Sequence, residues 1–151
     1  MPIELAVTRA GPHDVLSMAA IHRSCFARAW DDAAMAQFLA SPEALCLIGS
    51  VADSSGGMMS GLLIARRAAD EAEILTFCVA PSCRNAGLGR ALLDAAVAQL
   101  RAAGAKQLFL EVEDGNEAAL QLYRSFGAVP VGRREGYYEH DADAAIFSLA
   151  L

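Results

Sequence analysis

The sequence lacks a long uninterrupted apolar run, although 55% of its 151 residues are hydrophobic. A helix that spans a bilayer needs about 20 consecutive apolar residues, whereas here the apolar residues are spread along the chain, many of them as alanine. Residues 1–4 also lack the basic stretch and apolar core of a secretory signal. We therefore expect a soluble, cytoplasmic protein with no membrane segment.

Basic side chains are scarce as well. The chain carries 12 Lys and Arg against 18 Asp and Glu, which gives a net charge of −6 at pH 7. Proteins that coat DNA or RNA owe most of their affinity to neutralised phosphates, so this composition argues against nucleic acid as a partner. An average charge does not exclude a small basic pocket.

Metal-binding spacings are missing too. The chain contains four cysteines and three histidines, at Cys25, Cys46, Cys78 and Cys83 and at His13, His22 and His140. None forms a C-x-x-C pair or a zinc-like series, so we predict no metal and reduced thiols. We expect Cys78 in the core, and His22 with Cys25 on the surface of a helix.

No repeat or long linker divides the chain, and its length fits one domain, taken as residues 1–151. Hydrophobic periodicity and turn residues predict the order β-α-α-β-β-β-α-β-α-β-β. The strands are predicted at 3–8, 44–51, 58–65, 73–79, 107–112, 129–133 and 145–151, and the helices at 14–26, 31–41, 88–104 and 116–126. This order indicates an α/β (α+β) fold with a mixed central sheet and helices on its faces.

The most informative segment joins a predicted strand to the third helix. It contains Gly87 and Gly89 together with Arg84 and Arg90. Free amides and the dipole at a helix N-terminus attract anions, glycines allow close approach, and arginines add cationic donors. The segment is neither a Walker loop nor a G-x-G-x-x-G fingerprint. On these residues alone, the glycines could equally serve only to turn the chain, with the arginines solvated.

The run Arg84-Asn85-Ala86-Gly87-Leu88-Gly89 resembles the [QR]-x-x-G-x-[GA] signature of the GCN5-related N-acetyltransferases (GNAT family). The resemblance implies the GNAT fold, in which a central sheet of about seven strands is splayed in the middle. It also implies acetyl-CoA as co-substrate, with its pyrophosphate on this loop and its arm between 73–79 and 107–112. The implied cofactor-binding residues are Phe77, Cys78, Val79, Arg84, Asn85, Ala86, Gly87, Leu88, Gly89, Arg90 and Asn116.

Two further blocks resemble one branch of that family, the bacterial ribosomal-protein alanine N-acetyltransferases (RimI type). Residues 108–112 followed by 116–127 are similar to its L-x-L-E-V…N-x-x-A-x-x-L-Y-x-x-x-G-F block, with Ala128 in place of the final Phe. Residues 133–138 are similar to its R-R-x-Y-Y tail. Trp30 corresponds to an F-P-W segment, although Arg28 and Ala29 precede it here, which bears on acceptor specificity.

The resemblance assigns chemistry to two side chains. An α-amine is mostly protonated at neutral pH and needs a base before it can attack a thioester. Glu111, within an otherwise apolar strand, is the implied base, and the Tyr123 hydroxyl is the implied acid beside the sulfur. From position alone, Glu111 could instead face solvent or pair with an arginine, Tyr123 could be a core aromatic, and Asn116 could simply cap its helix.

The expected reaction is acetyl transfer, by direct attack in a ternary complex, to the N-terminal α-amine of a protein, namely a ribosomal protein that begins with alanine. Trp30, Tyr137 and Tyr138 are the implied acceptor-binding residues. Two alternatives remain open: an acetyltransferase for small-molecule amines or amino acids, and a non-catalytic acyl-CoA-binding module. We expect a monomer or weak dimer.

Overall fold

A computed structural model describes residues 4–53, 56–84, 86–134 and 144–151. Within these residues the predicted order of elements is confirmed. The strands are β1 Glu4–Arg9, β2 Ala44–Asp53, β3 Gly56–Ala68, β4 Glu71–Val79, β5 Gln107–Glu113, β6 Val129–Arg134 and β7 Ala144–Ala150. The helices are α1 Val15–Cys25, α2 Asp32–Ala40, α3 Leu88–Ala102 and α4 Glu117–Ser125, with short 3-10 turns at Pro12–Asp14 and Pro81–Cys83.

Local side-chain caps fix where two of the helices begin. The Asp31 carboxylate accepts a hydrogen bond from the Ala34 amide at 2.9 Å and starts α2, and the Asn116 amide oxygen accepts one from Ala119 at 3.2 Å and starts α4. Such caps satisfy amides that have no partner inside the helix. The helix-cap interpretation of Asn116 is therefore confirmed.

The seven strands of the described residues form one sheet in the order β1-β2-β3-β4-β5-β7-β6. All neighbours are antiparallel except β4 and β5, which run parallel. Their pairing extends only from Glu71 opposite Gln107 to Glu73 opposite Phe109, although both strands are described throughout and continue well beyond. The sheet is therefore mixed and splayed in its middle, as expected.

Apolar side chains pack in two clusters, one on each face of the sheet. Alternate residues of β3 divide between them: Leu63 and Ala65 join the cluster under α3 and α4, whereas Leu62 and Ile64 join the cluster under α1 and α2. The predicted α3 stripe is confirmed, with buried residues Leu88, Leu92, Leu93, Ala96, Val97 and Leu100. None of the helices in the described residues combines the length and apolarity that crossing a membrane requires.

Candidate active site

The opening between β4 and β5 forms the centre of the candidate site. Residues 77–79 keep their ladder with β3, where Phe77 lies opposite Leu63 and Val79 opposite Gly61. Their other edge faces the side from which β5 has diverged. Among the described strands this edge has no ladder beyond Glu73, and an extended ligand could pair with main-chain groups there.

Gly87 turns the chain from the end of β4 into α3. It lies at φ +88°, in the left-handed region, and is the N-cap of α3. Because glycine has no side chain, it cannot cap the first amides of the helix, which leaves them for an anion. A Cβ at Gly89 would lie 3.8 Å from Phe77 Cζ and from Leu122 Cδ2, which are ordinary contacts. Gly87 is thus required by backbone conformation, whereas Gly89 lies where α3 passes close to β4 and α4.

The two arginines of this segment contact the protein itself. Arg84 Nε donates to the Val79 carbonyl at 3.2 Å. Arg90 Nη2 donates to Ser125 Oγ at 2.7 Å, and its guanidinium lies 5.3 Å above the centre of the Phe126 ring. Each guanidinium has further donors beyond these contacts, so their predicted role as phosphate ligands stays a prediction.

The Cys25 thiol lies at the same end of β4. Its Sγ contacts the Val79 carbonyl at 3.4 Å and Arg84 Nη2 at 4.0 Å. A hydrogen bond with the Cys78 thiol, supported by Ser24 and Arg84, lowers the pKa of Cys25 to about 6 against the opposing effect of burial. Cys78 is buried in the core, as expected.

The two predicted catalytic side chains approach from opposite faces of the sheet. Along β5, Leu110 and Val112 point into the α3–α4 cluster, so the intervening, half-buried Glu111 points to the α1–α2 face. Tyr123 is buried in the α3–α4 cluster, and burial raises the pKa of its hydroxyl to about 12. Because the sheet is open between β4 and β5, a ligand lying in that opening would meet both faces.

The loop of residues 26–31, here called the Trp30 loop, joins α1 to α2. The Trp30 ring stacks on Phe38 of α2, with centroids 4.8 Å apart and planes 23° apart. A surface depression of about 390 Å³ lies beside it. Its lining residues are Arg23, Phe26, Ala27, Ala29, Trp30 and Asp31.

The prediction that His22 lies on a helix surface is wrong. His22 is 3% exposed. Its Nδ1 accepts a hydrogen bond from the Trp30 amide at 3.0 Å, and its Nε2 lies 2.9 Å from Thr76 Oγ1. The signal for burial was present, because His22 follows the buried Met18 and Ala19 by four and three residues and so continues their stripe on α1.

Three of the predicted site residues, Asn85, Tyr137 and Tyr138, lie outside the described residues. Arg133, to which no chemistry is assigned, forms an ion pair with Asp114. In the parts of the chain that the structure describes, no three His, Cys, Asp or Glu side chains are grouped so that they could hold a metal ion.

Comparison with known proteins gives consistent matches. The model of the acetyltransferase (GNAT) family matches residues 15–128. A [ribosomal protein bS18]-alanine N-acetyltransferase of Escherichia coli K12 is 35% identical over 101 residues, which cover 65% of this chain and 68% of that protein. The crystal structure of the E. coli ribosomal-protein-S18-alanine N-acetyltransferase is 27% identical, with a TM-score of 0.84 over 97% of this chain and 94% of that one.

A second similar structure shares the fold at lower identity. It is Arabidopsis thaliana NAA60 in complex with acetyl-CoA, 18% identical, with a TM-score of 0.84 over 98% of this chain and 99% of that one.

Proposed function

This chain belongs to the acetyltransferase (GNAT) family and is an acyltransferase, and from that premise we propose that it transfers the acetyl group of acetyl-CoA to the N-terminal α-amine of a protein. The observation that carries the proposal is the splay of β4 from β5 beside a half-buried carboxylate, Glu111. An opening through a sheet, with a base on one face and a phenol on the other, suits a reaction between two substrates that enter from different sides.

The proposed cofactor site fits the groups at the start of α3 and along the edge of β4. The first amides of α3, which receive no side-chain cap from Gly87, would bind the pyrophosphate, and Arg84 would lie beside them. Main-chain groups of residues 77–79 would bind the extended arm along the free edge of β4. Acetyl-CoA supplies the activated acyl group as a thioester.

Glu111 is the proposed general base and Tyr123 the proposed general acid. Glu111 removes a proton from the acceptor ammonium, directly or through water, because only the neutral amine can attack the thioester carbonyl. The new C–N bond forms as the C–S bond breaks. The Tyr123 hydroxyl donates its proton to the departing thiolate, and the second proton lost by the acetylated nitrogen returns to the Tyr123 oxygen. This return restores the neutral phenol, the form that burial favours by raising the pKa of Tyr123 to about 12.

The proposed acceptor is the N-terminus of a ribosomal protein that begins with alanine. Support comes from the name and activity of the E. coli relative and from the Trp30 loop, whose depression lies on the same side of the sheet as Glu111. Trp30, Tyr137 and Tyr138 would form the walls that hold the peptide. The departure at Arg28 and Ala29 lies in this loop, so a small-molecule amine is the alternative acceptor.

The test of the base compares two variants of one strand. Glu111→Gln should lower kcat by at least 100-fold, the usual contribution of a general base, and leave acetyl-CoA binding unchanged. Glu113→Gln is the matched control, because Glu113 lies two residues along the same face of β5 and should keep full activity. Equal activity of Glu111→Gln and wild type in a CoA-release assay would contradict the assignment.

A panel of peptides that differ only in the first residue tests the acceptor, with products read by mass spectrometry. We expect acetylation to favour Ala or Ser first. Acetylation confined to free amines would replace the protein acceptor with a small molecule, and tight acetyl-CoA binding without turnover would favour a non-catalytic module.

A further inference from the structure

His22 connects three elements of the candidate site through one imidazole ring. The ring belongs to α1 and lies against Phe26, with centroids 4.5 Å apart, and against Trp30, with centroids 5.1 Å apart and planes 25° apart. Its two nitrogens contact the Trp30 amide and the Thr76 hydroxyl. A side chain of α1 therefore holds both the Trp30 loop and strand β4.

The direction of both hydrogen bonds follows from the donors available. A backbone N–H can only donate, so Nδ1 accepts the proton of the Trp30 amide and carries none itself. The single proton of the neutral ring then lies on Nε2, which donates to Thr76 Oγ1. Burial lowers the pKa of His22 below its ordinary value, so the neutral ring that this arrangement needs is the form present at pH 7.

The two partners of His22 belong to different parts of the proposed reaction. Thr76 directly precedes Phe77, the first of the three β4 residues proposed to line the cofactor arm. Trp30 belongs to the proposed acceptor wall and stacks on Phe38 of α2 on its other side. One ring therefore links the proposed acceptor wall to the strand proposed to line the cofactor arm.

We propose that His22 is a positioning residue that locks the Trp30 loop onto β4 and so fixes the acceptor wall relative to the cofactor arm. The inference rests on the proposed function, because it takes the Trp30 loop as the acceptor side. His22 itself contacts no substrate in this proposal, since both of its nitrogens are used within the protein.

Four variants separate the hydrogen bonds from the packing. His22→Phe keeps an aromatic ring but removes both bonds, whereas His22→Asn keeps an acceptor oxygen where Nδ1 stood. Thr76→Val removes only the hydroxyl, and Thr76→Ser is its matched control. We expect Thr76→Val, which removes one bond, to raise the KM for an alanine-first peptide about tenfold, the factor that one lost buried hydrogen bond supplies. His22→Phe, which removes both bonds, should raise it at least as much. The KM for acetyl-CoA should stay within twofold, and kcat should change less than the peptide KM.

The conservative variants should restore acceptor binding. The peptide KM should increase in the order wild type, His22→Asn, His22→Phe, and Thr76→Ser should match wild type. An unchanged peptide KM in folded His22→Phe would overturn the proposal, as would an equal rise in the KM of both substrates. If His22→Phe does not fold, the comparison of Thr76→Val with Thr76→Ser tests the proposal, and an equal peptide KM in these two variants would overturn it.

A second readout needs no turnover. Trp30 is the only tryptophan in the sequence, so its fluorescence reports on the loop directly. Acrylamide should quench Trp30 more strongly in His22→Phe and Thr76→Val than in wild type and Thr76→Ser, and equal quenching in all four would overturn the lock. If the wild-type protein acetylates no peptide, the proposed function fails while quenching still tests the lock, so the two failures are distinguishable.

Discussion

At the scale of single residues, burial decides what Tyr123 can do. Its hydroxyl lies in the α3–α4 cluster, and its pKa is raised to about 12 because the phenolate would lose its hydration there. An acid must carry its proton to act. An ordinary tyrosine, with a pKa near 10, would begin to lose that proton about two pH units earlier.

We therefore predict that kcat does not decline near pH 10, the ordinary pKa of a tyrosine, on the alkaline side of its pH profile. We expect kcat to stay level from about pH 9 to pH 10.5 under conditions where melting curves show the protein folded, because Tyr123 stays protonated below its raised pKa. Tyr123→Phe should lower kcat about 100-fold across this range. A decline of kcat with an apparent pKa near 10 that disappears in Tyr123→Phe would contradict the assignment.

His22 shows that sequence analysis can predict the burial of a residue without predicting its hydrogen-bond partners. Its burial was readable from helical spacing, but its partner Thr76 lies 54 residues away. Likewise, nothing in the sequence around Arg90 indicates Ser125, 35 residues away, which accepts a hydrogen bond from it. Side-chain pairs between distant elements depend on packing, and no local pattern encodes them.

At the scale of elements, the turn from β4 into α3 depends on the conformation of one residue. Gly87 lies at φ +88°, which costs an L-residue about 1 kcal/mol or more. A Cβ there would meet nothing closer than Leu5 Cδ1 at 3.6 Å, so the cost of a side chain is conformational rather than steric. Gly89 follows inside α3 with ordinary helical geometry.

We therefore expect Gly87→Ala to lower the free energy of unfolding by about 1 kcal/mol. Gly89→Ala is the matched control and should not lower it, because alanine favours helix over glycine and its Cβ meets only ordinary contacts. Urea unfolding measures both. Equal stability of the two variants would show that the left-handed turn is not what Gly87 provides.

The elements themselves were largely predictable because their signals are local. Asp31 and Asn116 cap the helices that follow them, and the apolar stripe of α3 has helical spacing. The exact ends were less predictable. Helix α1 ends at Cys25, one residue before the expected Phe26, which is already extended.

At the scale of the whole molecule, the prediction that β4 and β5 splay apart rests on the family resemblance and not on hydrophobic periodicity. A strand pattern gives the faces of a strand but not the residue at which it leaves its neighbour. The net charge of −6 likewise describes the surface as a whole. Arg84, which lies between β4 and α3, provides a local positive charge on this acidic protein, and the proposed cofactor site depends on that charge.

The most direct test of the central claim follows a labelled acetyl group onto one of two amines. The purified protein is incubated with isotopically labelled acetyl-CoA and two peptides of one sequence, which begins with alanine and contains a single lysine. One peptide has a free α-amine and a blocked lysine, and the other has a blocked α-amine and a free lysine. We predict label on the free α-amine alone, and label on the lysine alone, or on neither peptide, would contradict the account.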